Sequence, residues 1–98
     1  MSEQRDGGWS DTKPTGPEQQ ALADKVKGDV EKAANRIFSE YKAVLYRFQV
    51  VQGMNYIIKV HVEAPTYVHV KLFQDLNGGV KYEGFQDHKT EEDPIIIF

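Results

Sequence analysis

The chain has 98 residues, a formal net charge of −3 and no cysteine, which excludes a disulfide framework, a cysteine metal site and a thiol nucleophile. No basic stripe is present to follow phosphates, and no run approaches the roughly 20 apolar residues of a membrane span, so we expect neither nucleic acid nor a membrane as a partner. The polar N-terminus and the lack of cysteine favour a cytoplasmic protein with a single domain, residues 1–98.

Residues 1–16 are predicted to form a flexible N-terminal arm. Ser, Asp, Thr, Lys, Pro and Gly occupy most of this segment, which therefore buries too little apolar surface to order itself. The only tryptophan of the chain, Trp9, follows Gly7 and Gly8 in this arm. Two interpretations are open. Trp9 either folds back onto the rest of the protein or anchors a binding partner, since tryptophan is enriched at binding hot spots.

One helix is predicted over residues 17 to about 37. Thr15 is the expected N-cap, with Glu18 three residues later completing a capping box and Pro17 in the first turn. Gly28 marks an expected bend or close contact. An apolar stripe with spacings of three and four residues should face the core, formed by Leu22, Val26, Val30, Ala33 and Ile37.

Four runs with a hydrophobic period of two follow the helix, at residues 41–51, 54–63, 66–74 and 80–86. This period predicts antiparallel strands that are buried on one side. The side chains expected on the buried face are Val44, Tyr46, Phe48, Val50, Tyr56, Ile58, Val60, Val62, Val68, Val70 and Leu72. One amphipathic helix needs such a sheet to cover it, so the expected fold class is α+β, a long helix across a four- to five-stranded antiparallel sheet.

The end of the chain carries turn and tail signals. Asn77-Gly78 is a strong hairpin signal, and Gly84 indicates a β-bulge in the last strand. Residues 87–93 are predicted to form a charged loop. The apolar tail, residues 95–98, is expected to dock on the protein or on a neighbour.

The stretch Gln49-Val50-Val51-Gln52-Gly53 lies between the first two strand runs and is the expected tip of a hairpin. Gly53 fits a turn because it tolerates a positive φ. The two valines do not fit, and two interpretations are open. Either the strand continues and turns at Gln52-Gly53, or the apolar pair is presented outward to a partner. By alternation, Val51 falls on the face opposite to the buried set.

No catalytic or metal site is predicted. His61 and His69 would lie opposite each other, with Lys59 facing Lys71, if the second and third strands pair so that their apolar faces match. Two histidines fall short of the three or four ligands of a zinc site, so both are expected at the surface. The serines have no histidine nearby to activate a nucleophile. We therefore expect no enzymatic activity, no metal and no cofactor.

Three features share one end of the predicted sheet. In a meander, alternate turns lie at the same end, so the tips at residues 49–53 and 76–79 come together there and the arm can reach them. With Gly7-Gly8-Trp9-Ser10 in the arm and Gln49-Val50-Val51-Gln52-Gly53 matching a Gln-x-Val-x-Gly pattern, the sequence resembles the stefins, the intracellular branch of the cystatin family of cysteine-protease inhibitors. The resemblance covers nearly the whole chain, including Asn55-Tyr56 and Phe73-Gln74.

The resemblance implies a reversible, competitive, tight-binding inhibitor of papain-like cysteine proteases (cathepsins), which inserts the arm and both hairpins into the active-site cleft. The protease-binding residues that it implies are Gly7, Gly8, Trp9, Gln49, Val50, Val51, Gln52, Gly53, Leu76 and Asn77. Stefins usually carry Leu-Pro in the second hairpin, where this chain has Leu76-Asn77. The alternative function is a non-inhibitory protein-interaction module of the same fold.

We expect a monomer as the main species and a domain-swapped dimer after partial unfolding. Val50 and Val51 are β-branched and suit an extended strand, so opening the hairpin would let the helix and first strand exchange between two molecules. Size-exclusion chromatography of heated and cooled protein should show a slowly formed dimer without inhibitory activity. Samples that elute only as active monomer would contradict this expectation.

Overall fold

The computed structural model describes residues 8–98, which form one antiparallel sheet of five strands, in the order β1-β2-β3-β4-β5, and two helices. The predicted α+β class is confirmed. The elements in chain order are β1 (Lys13–Pro14), α1 (Pro17–Lys25), α2 (Lys27–Ala34), β2 (Lys42–Val51), β3 (Gly53–Glu63), β4 (Thr66–Gln74) and β5 (Val80–Lys89).

The helical region begins one residue later than the predicted cap. Gly16 is the N-cap of α1, and its N–H donates to Oε1 of Gln19 at 2.8 Å. The prediction of Thr15 as the cap, with Glu18 reaching back, is wrong. Thr15 is engaged with the sheet instead, because its hydroxyl donates to the carbonyl of Ala43 at 2.8 Å.

The predicted single helix is divided and shorter. A turn at Val26 separates α1 from α2, two residues before the predicted bend at Gly28. Asn35, with φ 59°, ends α2 in the left-handed conformation that commonly terminates helices. Ala33, within α2, is exposed, and Ile37, beyond its end, is 78% exposed, so neither belongs to the buried stripe. The residues of this region that are buried in the core are Leu22, Ala23, Val26, Val30 and Phe38.

The inner face of the sheet carries most of the predicted core. The side chains on β3 and β4 that alternation assigned to this face are at most 4% exposed. The prediction is wrong at Val44, because a register shift between Ala43 and Leu45 makes Val44 an extra residue in β2. Ala43 takes the core position at 5% exposure. Val44 lines a cavity of about 240 Å³ together with Leu45 and Lys59.

The outer face of the sheet is also buried at its centre, which alternation did not predict. Ile57 is 0% exposed and Lys59 is 2% exposed. The chain after β5 covers them. The ammonium of Lys59 donates to the carbonyls of Glu91 and Asp93, each at 2.7 Å, and Ile95 is 3% exposed. The prediction that the tail docks is confirmed, and the predicted charged loop is shorter, because β5 continues to Lys89.

The pairing of β3 with β4 differs from the predicted register. His61 pairs with Tyr67, and Lys59 pairs with His69, so the predicted pairs His61–His69 and Lys59–Lys71 are wrong. A register shift between His61 and Glu63 accounts for part of the difference, because an irregularity beside the turn changes which residues face each other. The predicted bulge at Gly84 is confirmed: Lys71 pairs with Gly84, whereas Leu72 pairs with Tyr82.

Neither histidine of β3 and β4 has the predicted surface position. Nδ1 of His61 lies 2.6 Å from a carboxylate oxygen of Glu40, and the His61 side chain is 21% exposed. His69 is 0% exposed. Within residues 8–98, no group of three or more histidine, aspartate or glutamate side chains is placed to hold a metal ion. No helix in this part of the chain is long and apolar enough to cross a membrane.

The buried position of His69 makes folding sensitive to pH. Burial lowers the pKa of His69 to about 4, and the positive charges of Lys59 and Lys89 act in the same direction, while Asp93 opposes them. Over the part of the chain described, neither ring nitrogen of His69 has a hydrogen-bond partner. In the unfolded chain the imidazole has a pKa of about 6.5, so between pH 6.5 and 4 the unfolded state binds a proton that the native state does not.

We predict that this contribution to stability is complete above pH 6.5 and is lost as the pH falls towards 4. From His69 alone, the free energy of unfolding should decrease by about 2–3 kcal/mol over this range. Urea unfolding at a series of pH values gives the free energy of unfolding, which should depend less on pH for His69→Gln than for the wild-type protein. The control is His88→Gln, because the side chain of His88 is 82% exposed. The same pH dependence of the free energy of unfolding in His69→Gln and in the wild-type protein would contradict the prediction.

Candidate functional site

The arm and both hairpins meet at one end of the sheet. Trp9 forms a bridge with Gln49, Gln49 pairs with Asn55, and Asn55 pairs with Phe73, so one row of residues crosses from the arm to β4. The turn after β2 and the turn after β4 both lie beyond this row, as predicted for a meander. The tip edge is the surface that Gly8–Trp9, Val50–Gln52 and Leu76–Asn77 form at this end.

The first hairpin is a tight continuation of its two strands. β2 runs to Val51, which pairs with Gly53, and only Gln52 lies between them. The strand therefore does continue, as one interpretation held. The valines are nevertheless exposed, Val50 by 60% and Val51 by 42%, as the other interpretation held. The prediction that Val50 belongs to the buried set is wrong, because the core packing of β2 extends to Phe48 and no further along the strand.

Gly53 is required at this position for two independent reasons. Its φ of 105° lies in the region that side chains disfavour. A Cβ atom there would also lie 2.5 Å from the carbonyl oxygen of Gln74 and 2.7 Å from Cζ of Phe73. Beside it, the amide of Asn55 donates to Oε1 of Gln49 at 2.8 Å, which holds two side chains of the row below the tip edge together.

The second hairpin is ordered by a carboxylate. Oδ1 of Asp75 accepts hydrogen bonds from the backbone N–H groups of Asn77 and Gly79, both at 2.8 Å. Leu76 is 78% exposed at the corner of this loop. Proline lacks an N–H, so a Leu-Pro hairpin has no equivalent of the bond from Asn77. In this chain the Asp75 carboxylate fixes the loop in place of a proline ring.

The arm contacts β2 from Trp9 onward, while the side chains of residues 11–14 are exposed. Ser10 is 1% exposed, its N–H donates to the carbonyl of Phe48 at 2.8 Å, and its Oγ accepts from the N–H of Phe48 at 3.0 Å. Arg47 adds a hydrogen bond from Nε to the Ser10 carbonyl at 2.8 Å. Trp9, Ser10 and residues 13–15 thus bond to β2, and the flexibility of the arm, residues 1–16, stays a prediction. Gly7 and residues 1–6 lie outside the described residues.

The tip edge offers apolar and amide groups only. None of its side chains is ionisable, and its exposed large apolar side chains are Leu76, Val50 and Val51. Such a surface supplies neither an acid, a base nor a nucleophile. It suits a partner with an apolar cleft, because the apolar side chains lose contact with water there while the paired backbone keeps its hydrogen bonds.

Three residues that shape the tip edge were not predicted from the sequence. Asp75 had a local signal, because aspartate before a Leu-Asn-Gly-Gly turn commonly accepts hydrogen bonds from the backbone that follows it. Ser10 and Arg47 had none. Their partners lie 37 to 48 residues away along the chain, a distance at which no local pattern indicates pairing.

Comparisons with known proteins show the family of the chain. The family model described as the cystatin domain matches residues 7–94. Leukocyte cysteine proteinase inhibitor 1 of Sus scrofa is 41% identical, over 94% of this chain and 92% of that protein. Stefin-C of Bos taurus is 42% identical over 94% of both chains, and cystatin-A of Mus musculus is 39% identical over 94% of this chain and 97% of its own length.

We predict that Val51→Asp weakens binding to a partner and leaves the stability of the free protein nearly unchanged. The exposed position of Val51 means that a carboxylate there remains in water in the free protein, so the free energy of unfolding should change by no more than about 0.5 kcal/mol. In a complex with the papain-like protease that the sequence resemblance implies as partner, the same charge would be desolvated in an apolar cleft, so the inhibition constant for papain should rise by about tenfold or more.

The matched control is Ile37→Asp, the same kind of change at a residue that is 78% exposed and precedes β2, away from the tip edge. It should leave both stability and inhibition nearly unchanged. Urea unfolding and steady-state inhibition of papain measure the two quantities. Loss of stability in Val51→Asp, with the folded fraction still inhibiting normally, would mean that this stretch is only the end of a strand.

Proposed function

The chain belongs to the cystatin family, and we propose that it is a reversible, competitive, tight-binding inhibitor of papain-like cysteine proteases such as cathepsins. The observation that carries the proposal is the tip edge, where an ordered arm and two hairpins place exposed apolar side chains at one end of the sheet. The proposed protease contacts are those that the sequence resemblance implies, with Gly7 included from that resemblance alone.

The proposed mechanism is obstruction of the active-site cleft without cleavage. The backbone of the first hairpin is paired from Val50–Met54 to Val51–Gly53, so its amide groups already form the ladder of the sheet. A protease acts on a peptide that lies extended across its nucleophile. A closed hairpin tip enters the cleft as a wedge and presents no such extended segment, so it covers the catalytic cysteine without placing a peptide bond for attack.

Preorganisation supports tight binding. The tip of the first hairpin is fixed by Gly53 and that of the second by Asp75, so little conformational entropy remains to be lost when the two loops bind. Complete burial of one large apolar side chain contributes about 1.5–3 kcal/mol. Burial of Leu76, Val50 and Val51 therefore favours the complex, although the contributions do not simply add.

The competing proposal is a non-inhibitory interaction module of the same fold. It would use the same tip edge for a partner other than a protease, and it predicts no inhibition. The names of the relatives favour the inhibitor, because one is called a cysteine proteinase inhibitor. We also propose the cytoplasm as the location and the monomer as the active form, from the stefin resemblance.

Titration of papain with the intact protein tests the proposal. We predict that KM for a peptide substrate rises with inhibitor concentration while kcat stays constant, which is the behaviour of reversible competition. Trypsin serves as the control and should keep its activity, because its nucleophile and cleft differ from those of papain. Full papain activity in a large molar excess of the protein would overturn the proposed function and favour the interaction module.

A further inference from the structure

Arg47 joins the two ends of the chain on the outer face of the sheet. Its Nε donates to the carbonyl of Ser10 and its Nη1 donates to the carbonyl of Ile95, both at 2.8 Å. We propose that Arg47 is a positioning residue for the arm, holding Trp9 at the tip edge, and that the C-terminal tail supports it in this role. The inhibitory part of this inference rests on the proposed function.

Ser10 is the point at which the arm is held. It is 1% exposed and directly follows Trp9, whose backbone forms the bridge with Gln49. Two hydrogen bonds join Ser10 to Phe48, and Arg47 occupies its remaining carbonyl. A displacement of Ser10 therefore moves Trp9 relative to the hairpins, because the two residues are adjacent in a chain of fixed geometry.

The tail forms the other support of Arg47. Arg47, Ile57, Lys71 and Gly84 are cross-strand partners in one row across β2, β3, β4 and β5. The tail follows this row: its Ile95 carbonyl accepts from Arg47, and its Phe98 carbonyl accepts from the ammonium of Lys71.

Contacts beneath the tail keep it in place over this row. Ile57 is 0% exposed below it, and a Cβ atom at Gly84 would lie 3.9 Å from the ring of Phe98. Ile95, whose carbonyl accepts from Arg47, is itself 3% exposed. The carbonyl that orients the guanidinium is therefore held by packing as well as by hydrogen bonds.

The chemistry of the bridge requires arginine. Its guanidinium is planar and carries donors that point in different fixed directions, so it can serve one carbonyl on the arm and another on the tail at the same time. With the Ile95 carbonyl fixing one edge of the plane, the Nε–H is aimed at Ser10. Removal of the guanidinium leaves the arm attached by its bonds to β2 alone.

The first test needs no protease. Trp9 is the only tryptophan, so its fluorescence anisotropy and its quenching by acrylamide report the placement of the arm directly. Arg47→Met should lower the anisotropy and raise the quenching constant. Lys71→Met is the matched control, because Lys71 binds the same tail at Phe98 and is separated from the arm by β2 and β3. Because Ile95 is also held by its own burial, Lys71→Met should change both values much less than Arg47→Met does.

The second test measures inhibition of papain in a double-mutant cycle. Arg47→Met should weaken inhibition by about three- to tenfold, the range expected for loss of one or two net hydrogen bonds that hold a contact in place. In a Trp9→Ala background the same substitution should have almost no further effect, since the side chain that it positions is gone. A role confined to stability would give equal effects in both backgrounds.

The outcomes separate the two proposals. Unchanged Trp9 anisotropy in Arg47→Met, or an equal decrease in Lys71→Met, would overturn the positioning role. Equal effects of Arg47→Met with and without the Trp9 side chain would do the same. If the unchanged protein fails to inhibit papain, the proposed function fails, while the fluorescence comparison still decides whether Arg47 positions the arm.

Discussion

The close approach of Gly53 to the neighbouring strand is the constraint on which the rest of the tip edge depends. Because a Cβ atom at this position would lie 2.5 Å from the carbonyl of Gln74, β3 and β4 reach their observed spacing here only around a glycine. Gln74 is the last residue of β4 and leads directly into the second hairpin. The same glycine sets the pairing of Val51 across the first hairpin. A shift of one residue would reverse every side chain of β2, so Gly53 fixes the first hairpin and the strand spacing from which the second hairpin starts.

The sheet is covered on both faces. The chain after β5 covers the outer face, and this cover connects the core to the arm. Burial lowers the pKa of Lys59, while the carboxylates of Asp93 and Glu91 act against that shift. An ammonium buried without partners would be strongly destabilising, but that of Lys59 donates to the carbonyls of Glu91 and Asp93. The chain after β5 is thereby fixed over the outer face, and it places the Ile95 carbonyl where Arg47 can reach it. The outer cover thus contributes to the geometry of the tip edge as well as to stability.

The features that depend on local periodicity were predicted correctly from the sequence. The strands, the buried face of β3 and β4, the bulge at Gly84 and the shared end of both hairpins all followed from alternation and turn residues. The burial of Lys59 could not be predicted, because its partners lie 32 and 34 residues away. The end of the helix had a signal in Asn35, a residue that tolerates the left-handed conformation. The apolar spacing that continues to Ile37 outweighed that signal, although Ile37 itself is 78% exposed.

Composition describes side chains, whereas the contacts of the arm with β2 are made mainly by its backbone. Without the arm, β2 would be an edge strand with a free row of N–H and C=O groups, which is a site for unwanted pairing. Trp9, Ser10 and residues 13–15 pair with or bond to β2 between Gln49 and Val44 and so cover this part of the row. The arm exposes little new edge itself, because β1 has only two residues and one is proline. The segment that presents Trp9 therefore also protects the sheet, and its placement is a consequence of folding before any partner binds.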